Sequence, residues 1–257
     1  MADYKPNEMM TIAAARALKN DDVCFVGIGM PSAAANLARL THAPGITLIY
    51  ESGTLATKPN VLPLSIGDGE LCETAITTVS VPEMFRYWLQ GGRIKVGFLG
   101  GAQIDRFANL NTTVVGGSYD KPKVRLPGGG GAPEIATSCG EIFIIMAQSK
   151  RGFVDKLDFV TSIGHVSGGD SRQKLGVKTK GPTRLITDLA LLEPDPETKE
   201  MTVVSIHPGV TREQIQENTG WPVKFAAQVA ETLPPTDNEL DVLRELQTRT
   251  ACAHAAA

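Results

Sequence analysis

The chain has 257 residues, 42% of them apolar and 21% charged, with a formal net charge of −3. That length buries a full core, in one large domain or two small ones, and so small a charge leaves no electrostatic footprint for nucleic acid or an anionic membrane. The 26 glycines and 16 prolines mark frequent tight turns and not disorder, because apolar runs recur between them.

In chain order, the stretch Met1-Ala2-Asp3-Tyr4-Lys5 has no apolar signal core. Asn7 is placed to cap a helix carrying Met10, Ala13, Ala14 and Leu18 on one face, and Asn20-Asp21-Asp22 ends it. Val23 to Ile28 is a short, nearly all-apolar run of the kind expected for a strand covered on both sides. After Gly27-Ile28-Gly29, Pro31 suits the first turn of a second helix running through Leu37 and Leu40. Ile46 to Tyr50 reads as another buried strand, ending at Glu51-Ser52-Gly53.

Glu83 to Gln90 reads as a helix closed by Gly91-Gly92, Ile94 to Leu99 as a strand, and Glu141 to Met146 as another. Arg184 to Leu192 and Glu200 to Ile206 read as two strands joined in a hairpin around Pro194-Asp195-Pro196. Thr211 with Gln214, and Thr236 with Glu239, each make a capping-box signature, and Leu240, Leu243 and Leu246 give the last helix its inward face. Strands alternating with helices through Gly-rich turns predict an α/β fold, an open and mainly parallel sheet with helices on both faces. Residues 1–257 read as one domain with a loose tail from about Thr250, and Pro234-Pro235 sets off the last helix. No run of about 18 apolar residues exists to span a bilayer, and a cytoplasmic location is expected.

Ligands of open α/β sheets bind beyond the carboxyl ends of the strands. Three Gly-rich turns fall there, after Val26, after Leu99 and after Pro127, where Gly128 to Gly131 are four consecutive glycines. Backbone N–H groups in such turns can hold a phosphate or a developing oxyanion, or the glycines can be turns and nothing more. Gly27-Ile28-Gly29 lacks the third glycine of a dinucleotide fingerprint, although Glu51 is open to the ribose-binding role in that reading. Glu51 is otherwise a desolvated carboxylate at a strand end, suited to act as a nucleophile, or a structural group bonding loop amides. His207 reads as structural, while His165 in a Gly-rich loop is open to contact with a ligand. Lys121, Lys123 and Arg125 suit phosphates or carboxylates, against the ordinary alternative of a solvated face. Cys24 and Cys139 read as small core residues, and no metal-ligand spacing is present.

Ile49-Tyr50-Glu51-Ser52-Gly53 resembles the Glu-x-Gly motif of family I CoA-transferase β subunits. Val26-Gly27-Ile28-Gly29-Met30-Pro31 resembles that family's opening turn, Gly100-Gly101-Ala102-Gln103-Ile104-Asp105 its Gly-Gly-Ala-Gln segment, and Gly129-Gly130-Gly131-Ala132 its glycine turn. The likeness runs from Asn7 to about Arg249, and the segments around Leu62–Glu70, Phe85–Gly92 and His207–Glu213 resemble the 3-oxoadipate branch. The Glu-Ser-Gly form is shared with the glutaconate branch. One departure is Ala108, where the family usually has glycine. The resemblance implies Glu51 as catalytic nucleophile, with Gly27, Gly29, Gln103, Gly130 and Gly131 binding substrate or oxyanion. It also implies succinyl-CoA and a small dicarboxylic acid as substrates, in the breakdown of aromatic compounds, with no cofactor and no metal. The expected partner is an α subunit in an α₂β₂ or larger even assembly, with neither nucleic acid nor membrane involved.

Overall fold

The computed structural model describes residues 3–255; the first two residues of the N-terminal stretch and the last two of the expected tail lie outside these. The described residues cluster into two compact units, residues 3–98 with 234–255 and residues 99–233. The second break falls at the Pro234-Pro235 pair.

The first unit opens with α1 (Pro6–Ala17). It begins at Pro6 and is not capped by Asn7. Proline at the first helical position is preset for helix, and the Glu8 carboxylate accepts from the Lys5 N–H at 2.7 Å. There follow β1 (Val23–Phe25), α2 (Met30–Leu40), β2 (Thr47–Ile49), β3 (Thr54–Leu55), α3 (Gly69–Glu73), β4 (Thr77–Thr78), α4 (Val81–Glu83) and β5 (Val96–Leu99). Strand order is β5-β1-β2-β3-β4. The first three strands are parallel and the β2–β3 and β3–β4 pairs antiparallel. The helix expected over Glu83–Gln90 starts two residues earlier and widens to a π-helical turn over Met84–Leu89. It stops where expected, because a Cβ on Gly91 would lie 2.0 Å from the Tyr87 carbonyl oxygen.

The second unit contains β6 (Gln103–Ile104), β7 (Leu110–Asn111), β8 (Val114–Gly117), β9 (Pro122–Arg125), α5 (Ala132–Ser138), β10 (Glu141–Ile145), α6 (Ser171–Lys174), β11 (Pro182–Ile186), β12 (Ala190–Pro194), β13 (Met201–Ile206), α7 (Arg212–Glu217) and β14 (Lys224–Glu231). Its larger sheet has the order β14-β13-β12-β11-β10, with parallel pairs at both ends and antiparallel pairs between. The strand expected over Arg184–Leu192 is in fact two. The Thr187 hydroxyl accepts from the N–H groups of Leu189 and Ala190 (3.1 and 2.9 Å) and folds the run into a hairpin. The predicted hairpin at Pro194-Asp195-Pro196 is present, with Pro194 opposite Met201.

The chain then returns to the first unit as α8 (Asp237–Ala255), which stays helical through the stretch where a loose tail is expected. The Thr236–Glu239 cap forms in both directions. Leu240, Leu243 and Leu246 are buried as predicted, each contributing about 1.5–3 kcal/mol relative to an exposed side chain. Arg16 clasps Glu239 at 2.7 and 2.6 Å, and Arg244 clasps Glu8 at 2.7 and 3.1 Å, so α8 is tied to α1 by two guanidinium–carboxylate pairs. Among the described residues no helix is long and apolar enough to cross a membrane.

Candidate active site

In the first unit β1 and β2 run in parallel register, with Phe25 opposite Ile49, so the turns that follow them leave the same end of the sheet. Gly27 and Glu51 each stand two residues beyond that pair. The Val26 N–H donates to the Ile49 carbonyl at 2.8 Å and extends the register to the edge of the turns. Gly29 caps α2 with φ +81° and ψ −129°, a conformation open only to glycine. Gly27 is less demanding, since a Cβ there would meet Pro31 at an ordinary 3.5 Å. Sequence-predicted Gly27, Gly29 and Glu51 are thus brought to one end of one sheet.

Glu51 and Ser52 form the tip of the β2–β3 hairpin. The Tyr50 N–H donates to the Thr54 carbonyl at 3.2 Å, and the Gly53 N–H donates to the Tyr50 carbonyl at 3.0 Å, which closes a three-residue loop. Gly53 has φ +99°, and a Cβ there would lie 2.0 Å from the Val79 carbonyl oxygen, so the third residue of Glu-Ser-Gly has no room for a side chain. The Val79 N–H in turn donates to the Gly53 carbonyl at 2.9 Å. On the other side Tyr50 is fully buried, and its hydroxyl shares a 2.6 Å hydrogen bond with Ser32 in the first turn of α2. Burial pushes the Tyr50 phenol up to about 12, so it stays a neutral group at any working pH. Glu51 is half-buried, and among the described residues its carboxylate meets neither a cation nor a hydrogen-bond donor. The structural alternative, a carboxylate bonding loop amides, is therefore not what the turn does.

The second unit holds the other predicted residues. Gln103 is buried, with its Nε2 donating to Asp158 Oδ2 at 2.8 Å and its Oε1 accepting from Asn111 Nδ2 at 2.7 Å and from the Asp158 N–H at 3.2 Å. Both ends of the amide are engaged, which makes it a frame for its neighbours. Gly128 is pinned to Thr112 by the bond from its N–H (2.9 Å) and by the Thr112 hydroxyl on its carbonyl (2.8 Å). Gly130 follows at φ +49°, with open space where a Cβ would be, and Gly131 leads into α5. Among the described residues the N–H groups of Gly129, Gly130 and Gly131 find no acceptor, so a run of donors is left for a ligand. A depression of about 330 Å³ beside this run is lined by Gly100, Gly101, Ala102, Thr112, Leu126, Pro127 and Gly128.

Neither histidine takes part. His165 is buried with its Nε2 donating to the Pro182 carbonyl at 2.7 Å, which removes it as a ligand group. His207 sits between Thr232 and the Thr187 carbonyl, and burial lowers its pKa. Cys24 and Cys139 are buried core residues, and among the described residues no cluster is fit to hold a metal. Sequence reasoning missed Ser32, Val79 and Asp158, which act on site residues through folding and carry no local signature of their own.

The sequence profile of the coenzyme A transferase family matches residues 7–218. The chain belongs to that family. It is 65% identical to a subunit of the 3-oxoadipate CoA-transferase of Pseudomonas knackmussii over 99% of this chain and 97% of that protein. The crystal structure of glutaconate coenzyme A-transferase from Acidaminococcus fermentans superposes with a TM-score of 0.88 at 32% identity, covering 95% of this chain and 94% of that one. A more distant relative, the IpdB subunit of the cholesterol ring-cleaving hydrolase of Rhodococcus jostii, is 27% identical over 84% of this chain and 81% of its own length. The first and third of these relatives are each one subunit of a multi-chain enzyme, which implies a partner chain here as well.

Proposed function

We propose that this chain is the nucleophile-bearing β subunit of an enzyme that moves CoA from succinyl-CoA to 3-oxoadipate through a thioester on Glu51. The observation that carries the reading is the unpartnered, half-buried Glu51 carboxylate on a turn fixed from one side by Gly53 and Val79 and from the other by Tyr50 and Ser32. The 65% identity to a 3-oxoadipate CoA-transferase chain supports the choice of acid.

In this reading a Glu51 oxygen attacks the thioester carbonyl of succinyl-CoA and expels CoA thiolate, leaving a mixed anhydride. The thiolate attacks the Glu51 carbonyl and releases succinate, so that CoA is held as a glutamyl thioester. 3-Oxoadipate then attacks that thioester and the two steps run in reverse. The N–H groups of the Gly27–Gly29 turn, at the same end of the sheet as Glu51, suit the tetrahedral oxyanions, a single such donor being worth about 3 kcal/mol. An α subunit, in an α₂β₂ or larger even assembly, completes the enclosure that keeps water from the anhydride.

The test is Glu51→Gln in the complex of both subunits. The variant folds as wild type and keeps less than about a tenth of the turnover, the amide being near-isosteric and non-nucleophilic. With succinyl-CoA alone, wild type accumulates CoA on the Glu51 peptide by mass spectrometry. The likeness to a ring-cleaving hydrolase favours a second reading, with water in place of the acceptor acid. Under that reading no adduct forms, and free CoA or acid appears without 3-oxoadipate.

A further inference from the structure

The hairpin that carries Glu51 holds a polarity that its fold does not use. Other buried hydroxyls of the first unit are satisfied. Thr11 donates to the Asn7 carbonyl at 2.8 Å, Ser32 shares its bond with Tyr50, and Thr57 donates to the Leu71 carbonyl at 3.0 Å and meets Thr74 at 2.7 Å. Two hydroxyls beside Glu51 depart from this. Ser52 Oγ and Thr54 Oγ1 are both shut off from solvent and, among the described residues, meet no hydrogen-bond partner. Thr54 is only 1% exposed. An unsatisfied buried hydroxyl destabilises a fold, and alanine or valine would fill these places without that loss. The backbone fixes where the two groups lie. The Tyr50 N–H donates to the Thr54 carbonyl at 3.2 Å and Ile49 stands opposite Leu55, so Thr54 lies opposite Tyr50 and shares its face of the sheet. That is the face Tyr50 presents to Ser32 and the first turn of α2. Ser52 directly follows Glu51, and Gly53 between the two hydroxyls is wedged against the Val79 carbonyl. The backbone of the tip is thus held, while the Ser52 hydroxyl turns about a single side-chain torsion.

In the transferase reading, on which this inference rests, charge develops on two oxygens in turn. Attack by Glu51 loads the carbonyl oxygen of the acyl group; attack by CoA thiolate then loads the carbonyl oxygen of Glu51 itself. A donor already bonded to the free Glu51 carboxylate would lower its basicity and slow the first attack. A donor that engages only as the thiolate adds counts wholly toward the rate. The tip of the hairpin offers that combination, a carboxylate without a donor next to a hydroxyl without an acceptor. We infer that Ser52 is a further catalytic residue, its hydroxyl donating to the carbonyl oxygen of acylated Glu51 and leaving the free carboxylate alone. Thr54 is its positioning residue, donating to the Ser52 oxygen in that state. One rotation of Ser52 satisfies both hydroxyls, and hydroxyls in a chain strengthen one another. The proton stays on Ser52 throughout, so no bond is made or broken at its oxygen.

The experiment uses the complex of this chain with its α subunit and compares Ser52→Ala and Thr54→Val with wild type. Formation of the CoA adduct on the Glu51 peptide from succinyl-CoA alone is timed by mass spectrometry. Steady-state turnover gives kcat and KM, thermal melts give Tm, and infrared difference spectra give the carbonyl stretch of the Glu51 thioester. Adduct formation and kcat are expected to fall about tenfold or more in Ser52→Ala and about threefold or more in Thr54→Val, with KM within about twofold of wild type. Tm is expected to be equal or higher in both, because each substitution removes an unsatisfied buried group. In Ser52→Ala the thioester carbonyl is expected to absorb at higher frequency, the hydrogen bond to it being gone. A Tm lowered by several degrees in either variant assigns the hydroxyls to folding and overturns the inference, whatever the rates. Adduct formation at the wild-type rate in either variant overturns it, as does an unshifted carbonyl stretch in Ser52→Ala. A raised KM with kcat unchanged also overturns it, by making Ser52 a ground-state contact and nothing more. A wild-type complex in which no adduct forms on Glu51 removes the transferase reading and the inference together.

Discussion

At Ala108 the chain places a side chain where the backbone asks for none. The residue has φ +58° and is buried, in the loop where the family usually has glycine. The loop holds this conformation through its neighbours. Asp105 accepts from the N–H groups of Phe107 (2.9 Å) and Asn109 (3.0 Å), and Asn109 accepts from Gly164 and Val166 (2.8 and 3.2 Å). Gly164 has to be glycine in return, because a Cβ there would lie 2.2 Å from the Ala108 carbonyl oxygen. A left-handed alanine costs roughly 1–2 kcal/mol, and glycine recovers part of that against its larger unfolded-state entropy. Ala108→Gly is therefore expected to stabilise the chain by about 0.5–1 kcal/mol, read as a Tm raised by a few degrees in a thermal melt. A lowered Tm would mean that the methyl group's packing outweighs the backbone strain.

At the scale of elements, α8 is held by a pH-sensitive clasp. Burial pushes the Glu239 carboxyl upward, but the Arg16 guanidinium and the Thr236 N–H and hydroxyl outweigh it and hold its pKa at about 2. An acid with a depressed pKa stabilises the fold above its ordinary range, and that contribution is lost as pH falls. Docking of α8 should thus weaken as pH drops from about 4.5 toward 2, while Glu239→Gln lowers the Tm at neutral pH and shows a shallower decline over the same interval. Melts at a series of pH values decide it; parallel declines for both proteins would remove Glu239 as the cause. The caps and core of α8 were legible in sequence because Thr236, Glu239 and the leucine spacing act within a few residues of one another. So were the strand ends and glycine turns that carry Glu51. The hairpin at Thr187 was not, since Thr187-Asp188 interrupts the apolar run for only two residues and brings neither glycine nor proline. Nor was the reason for Gly53, which depends on Val79, a residue brought there by the β3–β4 pair.

For the molecule as a whole, the first unit leaves large apolar side chains in water: Leu64, Ile76, Val81 and Tyr87 are 69%, 78%, 47% and 54% exposed. Large apolar side chains left this exposed are a feature of association surfaces. Expressed alone, the chain is expected to self-associate or precipitate and to turn over no succinyl-CoA; co-expression with its α subunit should yield a soluble, active complex. A monodisperse single chain with full activity in a sizing column and enzyme assay would refute this. The return of α8 to the first unit also sets an order of events during synthesis. Residues 99–233 form a continuous unit that can fold as it leaves the ribosome, because nothing it contains is encoded later. The unit that bears Glu51 is interrupted, and its α1 carboxylate Glu8 waits more than two hundred codons for Arg244. The scaffold of Glu51 is accordingly finished after residues 99–233, although most of it is made first.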